Sequence, residues 1–477
     1  MTNTLDIDFV RKQFPAFQNP KTANFAFFEN AGGTYVPKQL IEKLNDFMIT
    51  KKVQPYGDFG PSIEAGEEMD RSLAKIAELL NVSKDEFIIG PSTTMNMFLL
   101  SNAIQNWLDD GDEIIVTNQD HEANIGAWRK LAERGVIIKE WKFNTETAEL
   151  EIEELKKIIS DKTKFICVCH TSNIVASINN LHEITKIAHE RNIKVVGDGV
   201  AYMAHDLADL KNIDVDFYSF SLYKTYGPHL ALLYGKKELL QKTKNLNHEF
   251  LSEEVPYTLN PGGPNHEELA CLSGLTDYYE DLYDHHFNEN GISLHEKGKK
   301  IFQLIHGHEE KLIKVLLEFL KSKKNVRIIG SQSHSRDIRM PTLSFTVNGI
   351  SSKEIALGAG KKDIGIRNGE FYAWRCLHGL GIEPNDGVVR VSMVHYNNLE
   401  EVKSRLIVEP HAERAIAAEI PVLGKISDDV SQKVRSQYEE NPYPRWAKLR
   451  KATKAKSISE ISAEANLHLH SESIKNV

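Results

Sequence analysis

The chain has 477 residues, with 58 lysines and arginines against 67 aspartates and glutamates, a formal charge of −9 and four cysteines. That length supplies two or three domains and a large core, the acidic balance leaves no general footprint for nucleic acid, and so few cysteines build no disulfide framework. No run reaches the ~18–20 apolar residues needed to span a bilayer, and MTNTLDIDFVRKQF lacks the apolar stretch of a signal peptide, so a soluble cytoplasmic protein without a membrane partner is expected.

From about residue 63 the pattern alternates. A helical stretch, IEAGEEMDRSLAKIAELL, precedes the extended EFIIG (86–90). TTMNMFLLSNAIQNW predicts a helix and EIIVT (113–117) a strand. HEANIGAWRKLAERG predicts a helix before VIIKEW (136–141), and a helix over 151–160 precedes KFICVCH (164–170). LHEITKIAHERN predicts a helix before IKVVGDG (193–199). Short, nearly all-apolar strands separated by amphipathic helices predict a mostly parallel sheet covered on both faces. DFYSFS (216–221) and LALLYG (230–235) follow with no helix between them. Such a sheet places its ligand site at the carboxyl ends of its strands.

Residues 285–406 read differently: a long charged helix (294–323), then NVRIIG, TLSFTV, a helix near 352–360, VVRVSMV (388–394) and the helical LEEVKSRL. This predicts a smaller α+β domain. The expected organisation is an N-terminal segment (1–30) packing with that smaller domain, a large α/β domain (31–284), the small domain (285–406) and an appended tail (407–477). In the tail, Arg445, Lys448, Arg450, Lys451, Lys454 and Lys456 form a run without acids, read as a solvated helix or disordered segment.

The strand ends carry the chemistry. After EFIIG, Ser92, Thr93 and Thr94 open a helix; they read as an N-cap or, with the free N–H groups there, as an anion site. After EIIVT stands His121, a capping histidine or a ring that lies flat on a planar ligand. After KFICVC come His170, Thr171, Ser172 and Asn173. Asp198 follows IKVVG, and a carboxylate buried there needs a cationic or hydrogen-bonding partner. DFYSFS delivers Ser221, Tyr223 and Lys224. Lysine is rarely buried; here it either snorkels to water or is a desolvated amine held for covalent chemistry. Hydroxyls on a helix terminus, a ring, an amide, a buried acid and a lysine together fit pyridoxal 5′-phosphate. No GxGxxG or GxxxxGK[ST] loop competes.

The chain resembles the class V aminotransferases, pyridoxal-phosphate enzymes of fold type I, and within them the cysteine desulfurase-like branch. The matching stretches run in order over roughly residues 10–406: FFENAGGTYVP (27–37), GPSTTMN (90–96), DHEANIGAW (120–128), HTSN (170–173), GDGVAYMAH (197–205), SLYKTYGPH (221–229), PGGPNHE (261–267), IRNGEFYAWR (366–375) and GVVRVSMVHYNN (387–398). The resemblance implies a seven-stranded, mostly parallel large domain beside the smaller one, and a homodimer. It implies Lys224 as the Schiff-base lysine, Asp198 as partner of the pyridine nitrogen, His121 as the stacked ring and Asn173 near the 3′-oxygen. Thr93, Thr94 and Ser221 would hold the phosphate, with Tyr223 beside them. Arg390 would clamp a substrate α-carboxylate, with Arg367 a second candidate; read on its own, Arg390 equally suits a salt bridge to a neighbouring acid. The expected reaction acts on an amino acid at the C–S bond of cysteine or a related compound. Amino transfer or epimerisation, and a cofactor-binding protein without turnover, are the alternatives.

Some positions depart from that branch. Its desulfurases carry a cysteine five positions after the arginine of R-x-G-H-H-C; five after Arg367 stands Tyr372. Cys376 lies one helical turn on and reads as a small core residue or as the sulfur carrier. Ala201 replaces a common glutamine, Tyr223 a common histidine, and Gly262-Gly263-Pro264-Asn265 the G-T-P-N turn, each lost hydrogen bond weakening cofactor holding by about 1 kcal/mol. The segment SDDVSQKVRSQYEENPYPRWAKL resembles one that precedes methyltransferase domains, and is read as an appended fragment that docks a partner or a sulfur acceptor.

Overall fold

A computed structural model describes residues 4–408 of the chain; the basic run and the methyltransferase-like segment of the tail lie outside the described residues. Strands β2 (Phe87–Gly90), β3 (Glu113–Thr117), β4 (Ile137–Trp141), β5 (Thr163–Cys169), β6 (Lys194–Asp198), β7 (Phe217–Ser221) and β8 (Ala231–Gly235) form a seven-stranded sheet. Its order is β2-β8-β7-β6-β5-β3-β4, and β8 alone runs antiparallel to its neighbours β2 and β7. This is the mostly parallel sheet of fold type I. The chain leaves β3 outward to β4 and returns to β5 on the other side of β3, so the connections diverge between β3 and β5. A crevice opens at such a divergence, at the strands' carboxyl ends.

Period-two alternation puts the apolar side chains of each strand on both faces. Val195 faces one core with Ile166, Val168, Tyr218 and Leu232, against Leu181, Ile184 and Ala188 of the helix Leu181–His189. Val196 faces the other with Cys167, Phe217 and Leu233, against Met97, Leu100, Ile125 and Trp128. Each large side chain so buried contributes about 1.5–3 kcal/mol. The helices have local stops and starts of their own: Ser92 accepts from the N–H of Met95, Asn180 from that of Glu183, and Ser293 with Glu296 closes a capping box.

A second sheet, of strands β9 (Val326–Ile328), β10 (Thr342–Val347), β12 (Arg367–Gly369) and β13 (Val388–Ser392), is antiparallel in the order β12-β13-β10-β9. Leu343, Phe345, Val389 and Val391 pack on Leu312, Ile313, Leu316 and Leu317 of the helix Leu294–Lys321. Near the N-terminus, β1 (Ala26–Phe27) pairs in parallel with β11 (Ile364–Gly365). No expectation covered β1, β11 or β12; strands of two or three residues are too short to show alternation. The helices predicted over 93–107 and 121–135 end at Ala103 and Arg129 and finish in 3-10 turns, and that predicted over 399–406 is a single α turn continued in π geometry. Among the described residues no helix is long and apolar enough to cross a membrane.

Gly199, next to Asp198, shows how tightly the sheet edge is packed. A Cβ there would lie 2.2 Å from Cζ and Oη of Tyr218, and Tyr218 is itself fixed by a 2.9 Å hydrogen bond to His170 Nδ1. Gly199→Ala is expected to cost about 1–3 kcal/mol by overpacking, read as a lower urea midpoint. Gly60→Ala, with nothing within 4 Å of its Cβ, should leave the midpoint unchanged or raise it.

Candidate active site

Most residues singled out at the strand ends line one cavity of about 680 Å³: Thr93, Thr94, His121, Thr171, Asn173, Asp198, Ser221, Tyr223 and Lys224, joined by Arg367 and Arg390 from the second sheet, whereas His170 stacks on Tyr202 outside it and Ser172 turns its hydroxyl to the backbone of its own loop. The parallel strands stop at a common edge, and the turns that follow them deliver these side chains. Thr93 is buried with its hydroxyl 2.9 Å from that of Ser221, while Thr94 stands exposed on the first turn of the helix Thr93–Ala103. The free N–H groups of that turn, with the hydroxyls around them, form a cradle for an anion.

Lys224 is desolvated. Its stem edges the cavity, and among the described residues its amine makes no hydrogen bond or ion pair; the nearest aromatic face is that of Tyr223, 5.5 Å away. Burial, and next the positive charge of Arg390, pull its pKa down to about 8, while Asp198 and Glu29 oppose the shift. Asp198 is pushed up to about 6 by burial, offset by a 2.9 Å hydrogen bond from the N–H of Val200 and by Lys224. His121 is pulled down to about 3 by burial and then by Lys224 and Arg390, so its ring is neutral at physiological pH. Its Nδ1 accepts from the N–H of Ala123 at 3.0 Å, which leaves the ring proton on Nε2.

Arg390 is buried and held on three sides. Its Nη2 lies 2.8 Å from Glu29 Oε1, its Nη1 donates to the carbonyl of Asn173 at 3.3 Å, and its Cζ sits 3.7 Å over the ring of Phe371. The salt bridge and the cavity position therefore coexist. Arg367 faces Arg390 directly across the β12–β13 pair, is 67% exposed and reaches 4.0 Å from the same Glu29 oxygen. Phe371 and Tyr372 both have left-handed backbones, at φ 49° and 57°. The side-chain amide of Asn173 donates to the carbonyl of Phe371 at 2.9 Å, the N–H of Glu122 to that of Tyr372 at 2.7 Å, and the Tyr372 ring centres 5.4 Å from that of His121.

Cys376 stands apart: it is fully buried among Phe143, Ile174, Leu377 and Val388, and burial pushes its thiol far up, as for an inert core cysteine. The cavity's own cysteine is Cys169, likewise buried and raised, whose thiol donates to Gln119 Oε1 at 3.7 Å. Sequence reasoning passed over Glu29, Cys169, His229 and the contribution of Phe371. Glu29, His229 and Phe371 lie in the matching stretches FFENAGGTYVP, SLYKTYGPH and IRNGEFYAWR, which were the signal available for them; His229 stacks on Tyr223 at 4.6 Å.

The cavity fits pyridoxal 5′-phosphate on three observations. The carbonyl oxygen of the Asn173 amide and the hydroxyl of Thr171 are buried without partners. An acid and a desolvated amine face the same space. A helix N-terminus with clustered hydroxyls closes one end.

The sequence profile of the class-V aminotransferases matches residues 26–303 and 298–404. Among curated proteins the chain is similar to the aminotransferase-like protein FGM3 of Gibberella zeae, with 34% identity over 85% of this chain and 98% of that one. It is similar to the cysteine desulfurase-like protein ustD of Aspergillus flavus, with 32% identity over 85% and 90%, and to a cysteine desulfurase of Serratia proteamaculans, with 27% over 83% and 95%. Among solved structures, the cysteine desulfurase CsdA of Escherichia coli superposes with a TM-score of 0.73 at 22% identity, covering 87% of this chain and all (100%) of that one. Apo cysteine desulfurase of Thermococcus onnurineus does so with 0.74 at 22%, covering 86% and 98%.

The Glu29–Arg390 pair carries a stability consequence. Glu29→Ala strands a buried guanidinium and is expected to cost about 3–5 kcal/mol, measured by urea unfolding. Arg367→Ala, whose side chain is mostly in water, should cost less than about 1 kcal/mol.

Proposed function

The chain belongs to the class V aminotransferase family of pyridoxal-phosphate-dependent enzymes, and we propose that it transforms an amino acid with Lys224 as the working amine, at the C–S bond of cysteine or a related compound. The carrying observation is that amine, which is desolvated, has no hydrogen bond among the described residues and faces the same cavity as Asp198 and His121.

When bound, pyridoxal 5′-phosphate supplies an aldehyde that joins amines and a pyridine ring that accepts electrons from the substrate's α-carbon. The remaining work falls to the chain. Asp198, ionised beside a cation, would keep a proton on the ring nitrogen. His121, neutral and fixed by Ala123, would cover the ring face. The hydroxyls of Thr93, Thr94 and Ser221, with the helix N-terminus, would hold the phosphate, with Tyr223 beside them. Asn173 gives one N–H of its amide to the Phe371 carbonyl, which orients the amide, and its unpartnered oxygen and second N–H would be the groups offered to the 3′-oxygen. Arg390 and, behind it, Arg367 receive the α-carboxylate. Lys224 moves the proton at the α-carbon, which requires its uncharged form.

Sulfur transfer through an enzyme persulfide finds no support. Among the described residues Cys376 is sealed in the core and Tyr372 stands at the mouth. Sulfur would therefore leave as sulfide or pass directly to an external acceptor. Burial keeps the thiols of both Cys169, at the cavity wall, and Cys376 protonated, and this favours a second reading, amino transfer or epimerisation, which needs none.

Residues of one surface also support a homodimer. Tyr56, Phe59, Ile63, Met95, Phe98 and Tyr257 are large, apolar and exposed. Tyr56 and Tyr257 are close enough to feel each other's charge, and the helix bearing Met95 and Phe98 packs on the turn Tyr257–Leu259. A patch of this kind marks an association surface.

A substrate panel with product identification tests the reaction. Sulfide with pyruvate and ammonia from cysteine (elimination), or alanine with sulfane sulfur carried off by an added thiol acceptor, supports C–S cleavage; an amino acid formed from an added keto acid supports transfer. Lys224→Ala should abolish turnover and the borohydride-reducible adduct located by mass spectrometry, whereas Cys376→Ala should change the rate by less than about twofold. Because the amine is pulled down to about 8 and acts uncharged, α-proton exchange should climb roughly tenfold per pH unit below that value and level off above it. Phe59→Asp with Phe98→Asp should shift sedimentation at micromolar protein from dimer to monomer.

A further inference from the structure

We propose that Tyr226 and His395 are positioning residues for Lys224: a buried hydrogen-bonded chain, Tyr278–His395–Tyr226, fixes the lysine turn relative to the segments that carry Asp198 and Arg390. The inference rests on Lys224 being the working amine.

Tyr226 lies two residues past Lys224 with a left-handed backbone at φ 69°, a conformation costly for a bulky side chain unless its surroundings impose it. Those surroundings are specific. Its N–H donates to Thr34 Oγ1 at 2.8 Å, and the N–H of Thr34 donates in turn to the carbonyl of Tyr223 at 3.1 Å, so Thr34 clips both sides of the lysine. The Tyr226 hydroxyl donates to the carbonyl of Ala204 at 2.8 Å, in the turn that follows Asp198. His395 Nδ1 lies 3.0 Å from the same hydroxyl, and His395 sits just beyond the strand of Arg390. Tyr278 Oη lies 2.5 Å from His395 Nε2. All three side chains are buried, and Phe14 packs edge-on against each.

The direction of every proton follows from the end of the chain. A carbonyl only accepts, so the Tyr226 proton goes to Ala204. Its oxygen must then accept from Nδ1–H, and Nε2 of the neutral imidazole accepts from Tyr278. His395 is kept neutral by burial, with His308 and His205 adding to the effect, and Glu309 is the buried acid facing Tyr226. One hydroxyl thus joins the turn of Lys224 to the segments following Asp198 and Arg390. A phenylalanine at 226 would fill the same space and leave the Ala204 carbonyl and Nδ1–H unpaired. The charges felt at the Lys224 amine are those of Arg390, Asp198 and Glu29, so its titration reports how well the turn keeps water out.

The test uses the full-length, cofactor-loaded protein and follows the pH titration of its visible absorbance, together with cofactor loss on dialysis. Tyr226→Phe and His395→Leu are expected to move the midpoint upward by about one pH unit, because a loosened turn hydrates the nitrogen and eases its protonation, and to speed cofactor loss. His395→Asn, whose amide N–H replaces Nδ1–H, should stay near wild type. A purely structural role would lower melting temperature without moving the midpoint. Folded Tyr226→Phe within about 0.2 pH unit of wild type overturns the proposal, as does a shift in His395→Asn as large as in His395→Leu. If Tyr226→Phe does not fold, the two His395 variants decide alone. Wild-type protein with neither the band nor a reducible adduct at Lys224 removes the functional reading itself; an adduct with unshifted variants removes only this one.

Discussion

Keeping an amine out of water governs the arrangement of the whole site. A lysine held away from solvent loses hydration that no hydrogen bond replaces, and the charged form is the one that suffers. The fold imposes this on Lys224 by ending β7 against a turn clipped by Thr34, so the side chain lies in the cavity that Arg390 of the second sheet also lines. Every charge near it then matters more than it would in water. Arg390 drives the amine towards its neutral form, while Asp198 and Glu29 restrain that drive. The result is a nucleophilic amine near neutral pH, obtained with ordinary residues and placement alone.

Glu29 is the quiet member of that balance. Without it, Arg390 would be a buried cation beside a buried amine. With it, the guanidinium is paired, oriented by Asn173 and stacked on Phe371, and it still faces the cavity. The pair also joins distant stretches of chain, since Glu29 and Arg390 are 361 residues apart and belong to the N-terminal segment and to β13. The second sheet is thus part of the site's electrostatics as well as a lid over it.

Much of this was legible in the sequence because two signals are local. Strands such as EIIVT and KFICVC are short and almost wholly apolar, which happens in a sheet covered on both sides. The residue after each is polar and chemically distinct, which marks the edge where the strands stop. His121, Asn173, Asp198 and Lys224 were therefore visible one by one, and the structure brings them to one cavity. The contacts that tune them were not visible. Glu29 meets Arg390, and Tyr226 meets His395 across 169 residues, through tertiary packing that no window of sequence contains. Nor does glycine announce the left-handed turn at Phe371 and Tyr372.

That turn closes the argument about why the mouth differs from a thiol-bearing one. Two consecutive bulky residues with positive φ cost on the order of 1–3 kcal/mol each, and they persist only where neighbours over-determine them. The neighbours are site residues: Asn173 and Glu122 bind the two carbonyls, Arg390 holds the Phe371 ring, and His121 faces Tyr372. The strained segment is thus fastened by the same groups that line the cavity, and its geometry is coupled to theirs. A phenol occupies the entrance, and the nearest cysteine on that segment, Cys376, points into a core that keeps its thiol protonated. The groups that line the cavity beside this strained segment are thus an amine, an acid and a guanidinium paired with Glu29, and no exposed thiol among the described residues.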